Sequence, residues 1–321
     1  MSSPREPVTF VTFACRNDVS YAKSLLGSIA YFYPSHAIRV VLDNDVSGKD
    51  HEQISRFPNV VVHRVADLVM GHKLNLTRLL AKLNVLMLPG VERALVADAD
   101  SVLVDLVLER IPERTLFAGL TARQVDLSDP IARQAFSKWA IDLDRMPELG
   151  WKLRGGPVNF VGGSHFYVDV ERFPRRLLHE LLPVMGYGHD AATPLRAGDQ
   201  GFWTYLSNIC DAVSPDELHF FDVAPDAAPA QMARFPMAND VAWLSSRRAK
   251  EVSFIHYIGF SRRFRRRSHQ FPSALAWATE RYYEILGCPA DFAKDEVRRV
   301  SFAASKVLRR AVRIPLRMMG R

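Results

Sequence analysis

The sequence has no apolar segment long enough to cross a membrane. A transmembrane helix needs about 20 consecutive, mostly apolar residues, and no run within the 321 residues approaches that length. The first residues, Met1 to Pro7, also lack the apolar stretch of a secretory signal. These two absences lead us to expect a cytoplasmic protein.

Cysteine is rare, which argues against a disulfide framework and against a cysteine-based zinc site. The three cysteines, Cys15, Cys210 and Cys288, are far apart and odd in number. A disulfide framework or a cysteine-based zinc site needs paired or closely spaced cysteines. We therefore expect ordinary reduced thiols.

Glycine is absent from the turn that follows the first apolar run, Val8 to Ala14. Residues Cys15 to Ser20 contain no glycine, whereas the dinucleotide-binding fingerprint G-x-G-x-x-G is built on glycines that let the backbone approach the phosphates. The sequence therefore argues against an NAD-type site.

The net charge of +7 belongs to the C-terminal segment. Lys294 to Arg321 contains nine basic and two acidic residues, and residues 1 to 293 carry 33 of each. Apolar residues recur in this tail at the spacing of a helix face: Val297, Val300, Ala304, Val307, Leu308, Ala311 and Ile314. The pattern predicts a basic amphipathic helix.

Such a helix is typical of proteins that bind a membrane surface through anionic lipids. We therefore expect peripheral attachment to the inner face of the cytoplasmic membrane through the tail. A helix packed on the domain with a solvated charged face is the alternative. Binding of nucleic acid is not expected, because no recognised binding fold or aromatic platform accompanies the basic residues.

Short apolar runs alternate with amphipathic stretches in the first third of the chain. Val8 to Ala14, Ile38 to Leu42 and Val60 to Val65 are predicted strands, and Ala22 to Phe32 is a predicted helix. Further predicted strands are Arg93 to Ala97, Leu116 to Leu120, Phe160 to Val170 and Val252 to Ile258, and further predicted helices are Leu74 to Leu88, Leu177 to Met185 and Gln200 to Ile209. The fold class is therefore α/β, with a largely parallel central sheet flanked by helices. Ligands of such sheets bind at the carboxyl edge.

Two carboxylates stand at the end of a buried strand. Asp98 and Asp100 follow the run Arg93 to Ala97, and side chains two residues apart share a face of an extended chain. A divalent cation with phosphate ligands would compensate the cost of carboxylates beside apolar residues. A strand-end turn explains the pair equally well. Turns or helix caps also explain the other two triplets of this form, Asp43-Asn44-Asp45 and Asp142-Leu143-Asp144.

Further segments place polar residues or glycines where predicted elements begin or end. Taken singly, the polar residues in these segments have ordinary structural explanations. Asp18 or Asp199 can cap a helix, Lys82 can be a solvated residue, and His256 can be a core residue that forms hydrogen bonds through its ring nitrogens. The segments are Val8 to Ser28, Leu76 to Asp100, Asn159 to Val170 with its paired glycines, Gly198-Asp199-Gln200-Gly201, and Phe254 to Arg262.

In this order, the segments resemble glycosyltransferase family 8, which contains glycogenin and bacterial lipopolysaccharide galactosyltransferases. The resemblance spans most of residues 8 to 264. It implies a catalytic domain of the GT-A type over residues 1 to 270, with a mixed, mostly parallel central sheet flanked by helices. It also implies a C-terminal helical region with a basic amphipathic tail over residues 271 to 321. It also implies a retaining hexosyltransferase that uses a UDP-sugar donor and a glycan or lipid-linked saccharide acceptor.

The resemblance implies a metal site formed by Asp98, Asp100 and His256. Carboxylate and phosphate oxygens suit Mn²⁺ or Mg²⁺, and an imidazole ligand favours Mn²⁺. It also places Asp199 and Gln200 beside the anomeric carbon, where Asp199 either attacks as a nucleophile or flanks an oxocarbenium ion. The implied contacts of the donor are Ala14, Asn17, Asp18, Tyr21, Lys82, Asp98, Ala99, Gly162, Gly163, Gly259 and Arg262.

The sequence departs from the family pattern at several of these positions. Lys82 stands where members often carry Arg, Val161 stands at the usual Asn unless that residue is displaced to Asn159, and Arg262 replaces Lys. A nucleotidyltransferase acting on sugar phosphates is the alternative enzyme, but it would normally carry a glycine-rich phosphate loop after the first strand. A catalytically inactive basic binding module is the non-enzymatic alternative.

Overall fold

The computed structural model describes residues 7–16, 18–68, 78–120, 122–156, 158–185, 193–196, 198–221, 253–256, 272–289 and 291–292. Within these ranges, no helix combines the length and the apolar character that crossing a membrane requires. Three predicted donor contacts, Asn17, Gly259 and Arg262, lie outside the described residues, as does the predicted tail helix after residue 292. The predicted boundary between residues 270 and 271 stays a prediction.

A seven-stranded mixed sheet forms the centre of the fold, in the strand order β10-β6-β9-β4-β1-β2-β3. The strands are β1 Thr9–Ala14, β2 Ile38–Leu42, β3 Val60–Arg64, β4 Arg93–Ala97, β5 Ser101–Leu103, β6 Phe117–Gly119, β7 Ala122–Val125, β8 Val158–Val161, β9 His165–Asp169, β10 Leu218–Phe220 and β11 Phe254–His256. Strand β9 is antiparallel to β4 and β6, and the other pairs in this sheet are parallel. The predicted mixed, mostly parallel sheet is confirmed.

Helices cover both faces of the sheet. They are α1 Val19–Phe32, α2 Gly48–Ser55, α3 Pro130–Trp139, α4 Arg176–Leu181, α5 Asp199–Asn208 and α6 Pro272–Ile285. Successive residues of a strand point to opposite faces, so Phe10 of β1 joins the apolar cluster beneath α1 and α6, and Val11 joins the cluster beneath α4 and α5. The sheet thus separates two cores.

Two predicted elements differ from the structure. The predicted strand Phe160 to Val170 is wrong as a single element, because β8 pairs with β7 whereas β9 lies in the central sheet. Residues 162 to 164 form the break, where two adjacent glycines leave the backbone free to turn. Of the predicted helix Leu74 to Leu88, the described part Arg78–Met87 is a 3-10 helix. It ends before Pro89, which lacks the N–H that a further helical bond needs.

A small antiparallel sheet brings a distant part of the chain to the end of β4. Strand β5 begins at Ser101, and β11 pairs with it so that His256 lies opposite Ser101. His256 therefore reaches the turn formed by Asp98 and Asp100 although more than 150 residues separate them in sequence.

Helix α6 packs closely on α1 at a glycine. A Cβ at Gly27 would overlap the carbonyl oxygen of Ala278 and would lie 2.8 Å from the backbone nitrogen of Tyr282. The side chains of Ser24 and Thr279 are hydrogen-bonded at 2.7 Å beside this contact. The backbones of the two helices can approach this far only because position 27 has no side chain.

We expect Gly27→Ala to lower the free energy of unfolding by about 1 to 3 kcal/mol, because the new methyl group overlaps the backbone of α6. Gly48→Ala is the control, since nothing lies within 4 Å of a Cβ at that position in α2. It should leave stability unchanged or slightly higher. Urea unfolding measures both variants, and equal stabilities would contradict the close contact between α1 and α6.

Candidate active site

The candidate site lies at the carboxyl edge of the central sheet. Strands β1 and β4 are parallel and end there, and β9, which runs the opposite way, begins there with His165. The backbone N–H of Asp98 donates to the carbonyl oxygen of Ser164 at 2.9 Å, which extends the pairing of β4 and β9 into the site. The turn that carries Asp98 and Asp100 is therefore anchored on the strand beside it.

Asp98, Asp100 and His256 converge on one point. The His256 Nε2 atom lies 3.3 Å from Asp98 Oδ2 and 3.2 Å from Asp100 Oδ1. One ligand atom from each of the three residues falls within 4.8 Å of the other two. Two carboxylate oxygens and an imidazole nitrogen at this separation fit a divalent cation, and the oxygen-rich donor set suits Mn²⁺ or Mg²⁺.

Lys82 lies between two carboxylates. Its ammonium group forms an ion pair with Asp98 Oδ1, lies 3.9 Å from Asp199 Oδ2, and donates to the carbonyl oxygen of Gly163 at 2.6 Å. Its side chain is only 14% exposed, so it is not a solvated helix residue. Burial alone would lower the pKa of Lys82, but the charges of Asp98 and Asp199 outweigh burial and raise it. The ammonium therefore stays charged.

Asp199 begins α5 and is buried, with 2% of its surface exposed. The preceding residue, Gly198, has φ 62°, a conformation that favours glycine. The carboxylate of Asp199 packs against Gly163, where a Cβ would lie 2.5 Å from Asp199 Oδ2. The glycine therefore provides the space that the carboxylate fills.

The two carboxyl groups beside Lys82 have pKa values that are shifted in opposite directions. Burial raises the pKa of Asp199 to about 7, against the opposing charge of Lys82. Burial would also raise the pKa of Asp98, but Lys82 and the hydrogen bond from His256 hold it below its ordinary value. Asp98 is therefore ionised at neutral pH, whereas Asp199 exchanges a proton close to neutral pH.

His165 was not identified from the sequence, although it touches the site. It is fully buried, its Nε2 is hydrogen-bonded to Ser101 Oγ at 2.8 Å, and its ring lies 5.0 Å from the ring of His256. Burial lowers the pKa of His165 well below its ordinary value, and the neighbouring His256 adds to the effect. A histidine directly after Gly162-Gly163-Ser164 in an apolar strand was the available signal.

Three of the predicted nucleotide contacts lie in or beside the turn after β1: Ala14 ends β1, Asp18 lies in the turn, and Tyr21 is in the first turn of α1. The Cys15 thiol donates to Asp18 Oδ2 at 3.0 Å, and the Asp18 side chain makes no capping hydrogen bond to α1. Ala14 is buried, and Tyr21 belongs to a buried cluster with Val102. Of the three, Asp18 is the one whose side chain is partly exposed.

The remaining predicted residues surround the same edge. Ala99 is buried and belongs to the apolar cluster beneath α1. Gly162 and Gln200 are half-buried, beside Gly163 and Asp199 respectively. The structure thus brings the metal-ligand candidates, Lys82 and the start of α5 together.

No model of a known protein family matches the chain, and no curated protein matches it at the sequence level. Among solved structures, it is similar to the WbbM bifunctional glycosyltransferase in its apo form, with 15% identity, a TM-score of 0.52, and coverage of 90% of this chain and 51% of that chain. This likeness shows the fold, and the predicted GT-A type is confirmed.

Two further structures are similar at lower TM-scores. The galactosyltransferase LgtC, solved with donor and acceptor sugar analogs, has 16% identity and a TM-score of 0.46, covering 87% of this chain and 95% of that chain. Mouse xyloside xylosyltransferase 1 has 14% identity and a TM-score of 0.46, covering 78% and 98% respectively.

The raised pKa of Asp199 predicts how stability depends on pH. The folded protein keeps the Asp199 proton up to about pH 7, whereas an unfolded chain releases it near pH 4. The folded state binds more protons in this window, so this group lowers the free energy of unfolding as the pH rises from about 4 to 7. Asp199→Asn should therefore become more stable than the wild type by about 2 to 4 kcal/mol at pH 8.

Urea unfolding at pH 4.5 and pH 8, with a chelator present, measures the difference between variant and wild type. Asp144→Asn is the control, because the side chain of Asp144 is 89% exposed. Its difference from the wild type should be the same at both pH values. A pH-independent difference for Asp199→Asn would contradict the burial of an ionisable carboxyl group.

Proposed function

We propose that the protein is a retaining, metal-dependent glycosyltransferase that transfers a hexose from a UDP-sugar to a glycan or lipid-linked saccharide. The observation that carries the proposal is the convergence of Asp98, Asp100 and His256 beside the Lys82 and Asp199 pair. A metal-ligand set next to a buried carboxylate and a buried ammonium suits a reaction that separates charge. The GT-A type fold, shared with a solved glycosyltransferase, supports the same reaction class.

Asp98, Asp100 and His256 would hold Mn²⁺ or Mg²⁺. When bound, the ion neutralises negative charge on the diphosphate that leaves the sugar. The His256 nitrogen favours Mn²⁺ over Mg²⁺, because Mg²⁺ prefers oxygen ligands.

Lys82 positions both carboxylates. Its ammonium binds Oδ1 of Asp98, which leaves Oδ2, the oxygen near His256, for the metal. The same ammonium is 3.9 Å from Asp199 and is held by the Gly163 carbonyl group. A fixed positive charge at this place stabilises the ionised form of Asp199 and any negative charge that develops nearby.

Asp199 supplies negative charge to the sugar. Transfer makes the anomeric carbon positively charged, and a carboxylate beside it stabilises that charge or attacks the carbon as a nucleophile. Asp199 is buried, so the interaction is stronger than it would be in water. Gln200, the next residue of α5, lies at the same helix start and is proposed to bind the sugar with it.

The proposed nucleotide site is the edge formed by the ends of β1 and β4. Asp18, with its carboxylate held by the Cys15 thiol, is placed to accept hydrogen bonds from a base or ribose. Gly162 and Gly163 lie at the same edge, where Gly163 contacts both the Asp199 carboxylate and the Lys82 ammonium. Asn17, Gly259 and Arg262 complete the proposed donor contacts.

Two measurements test the proposed function: the binding of UDP, and the release of UDP from UDP-glucose or UDP-galactose. Each is made with Mn²⁺ and again with a chelator. Asp100→Asn should lose Mn²⁺-dependent UDP binding, because one metal ligand is gone. Asp199→Asn should bind UDP like the wild type but turn over at least about 100-fold more slowly, because the lost interaction forms only in the transition state.

Asp144→Asn is the matched control, since it alters the last carboxylate of another Asp-x-Asp triplet. The structure places Asp142-Leu143-Asp144 in a turn, where Asp142 Oδ1 accepts from the N–H of Asp144. This variant should keep both binding and turnover. Undiminished Mn²⁺ dependence in Asp100→Asn, or normal turnover in Asp199→Asn, would contradict the assigned roles.

We also propose that the basic segment Lys294 to Arg321 attaches the enzyme to anionic lipid, which would bring it to a lipid-linked acceptor. Each basic residue near such a surface contributes about 1 kcal/mol. The full chain should sediment with vesicles that contain phosphatidylserine, whereas a chain ending at Ala293 should not. Vesicles of neutral lipid are the control, and equal sedimentation of both chains with anionic vesicles would contradict the proposal.

A further inference from the structure

His165 contacts the two strands on either side of the Asp98 to Asp100 turn and the strand that carries His256. It pairs with Ala97, the last residue of β4, which directly precedes Asp98. It is hydrogen-bonded to Ser101, the first residue of β5, which directly follows Asp100. Its ring packs edge-on against His256, at an interplanar angle of 82°.

Burial of the His165 ring leaves one of its two nitrogens without a hydrogen-bond partner among the described residues. Its Nε2 bonds to Ser101, but its Nδ1 is buried and has no hydrogen-bond partner within the part of the chain that the structure describes. An aliphatic side chain would fill the same space between Phe254 and His256 without burying an unpaired nitrogen. Packing alone therefore does not account for a histidine here.

Through Ser101, His165 connects the Asp98 to Asp100 turn with the strand that carries His256. Ser101 lies opposite His256 in the pairing of β5 and β11. A ring that is bonded to Ser101 and packed on His256 restricts the rotation of His256 relative to the turn of Asp98 and Asp100. Groups that orient metal ligands in this way typically change metal affinity by about 10- to 100-fold when they are removed.

We propose that His165 is a positioning residue that holds the His256 ring and the Asp98 to Asp100 turn in the arrangement that binds a divalent cation. The proposal rests on the metal site of the proposed function. It adds that the buried pair of His165 and Ser101 fixes the positions of the three ligand side chains before the ion binds.

The test measures binding of Mn²⁺ alone by electron paramagnetic resonance, and the absorption spectrum of bound Co²⁺. His165→Phe keeps a planar ring but loses the bond to Ser101, and Ser101→Ala removes the same bond from the other side. Each should weaken Mn²⁺ binding by about 10-fold or more and change the Co²⁺ spectrum. The double variant should bind about as weakly as either single variant, because both remove one interaction.

A second histidine and serine pair provides the control. His51 Nδ1 lies 3.4 Å from Ser55 Oγ on α2, away from the site. His51→Phe should leave Mn²⁺ affinity and the Co²⁺ spectrum unchanged, and melting temperatures without metal show which variants are folded. If His165→Phe does not fold, Ser101→Ala decides the outcome.

Folded variants of His165 and Ser101 with wild-type Mn²⁺ affinity and an unchanged Co²⁺ spectrum would overturn the proposal. In that case, loss of binding in His256→Ala would leave the metal site and the proposed function intact. A wild-type protein that binds no Mn²⁺ would overturn the metal site and the role of His165 together.

Discussion

The ammonium group of Lys82 lies between Asp98 and Asp199, two carboxylates that come from different parts of the chain. Asp98 leaves the central sheet at the end of β4, and Asp199 begins α5. Without a buried positive charge, two carboxylates at this edge would repel each other and lose hydration. The ion pairs of Lys82 therefore allow the sheet and α5 to place acidic groups side by side.

The same arrangement gives the two carboxyl groups different tasks. Asp98 interacts with both Lys82 and His256 and stays ionised, as a metal ligand must. Asp199 lies against the backbone of Gly163 and has the higher pKa. A pair of acids whose surroundings separate their pKa values is a common feature of catalytic sites. The separation here follows from the burial of Asp199, which raises its pKa, and from the contacts of Asp98 with Lys82 and His256, which lower the pKa of Asp98.

The sequence predicted the elements whose signals are local. Strands β2 and β4 have the predicted bounds, because each is an apolar run with polar residues or a turn at its ends. The grouping of Asp98, Asp100 and His256 followed from the order of motifs in the family resemblance. The packing of Asp199 against Gly163 and the contacts of His165 with Ser101 and His256 could not be predicted, because they depend on which residues meet across α5, β5 and β11. Those contacts join residues more than 30 positions apart, which periodicity cannot report.

The close contact between α1 and α6 has a consequence for synthesis of the chain. Helix α1 ends at residue 32, but the helix that covers its glycine face ends at residue 285. During translation, which adds about 5 to 20 residues each second, that face of α1 has no native cover until most of the polypeptide has left the ribosome. An early part of the chain therefore reaches its native packing only after a late part has been synthesised.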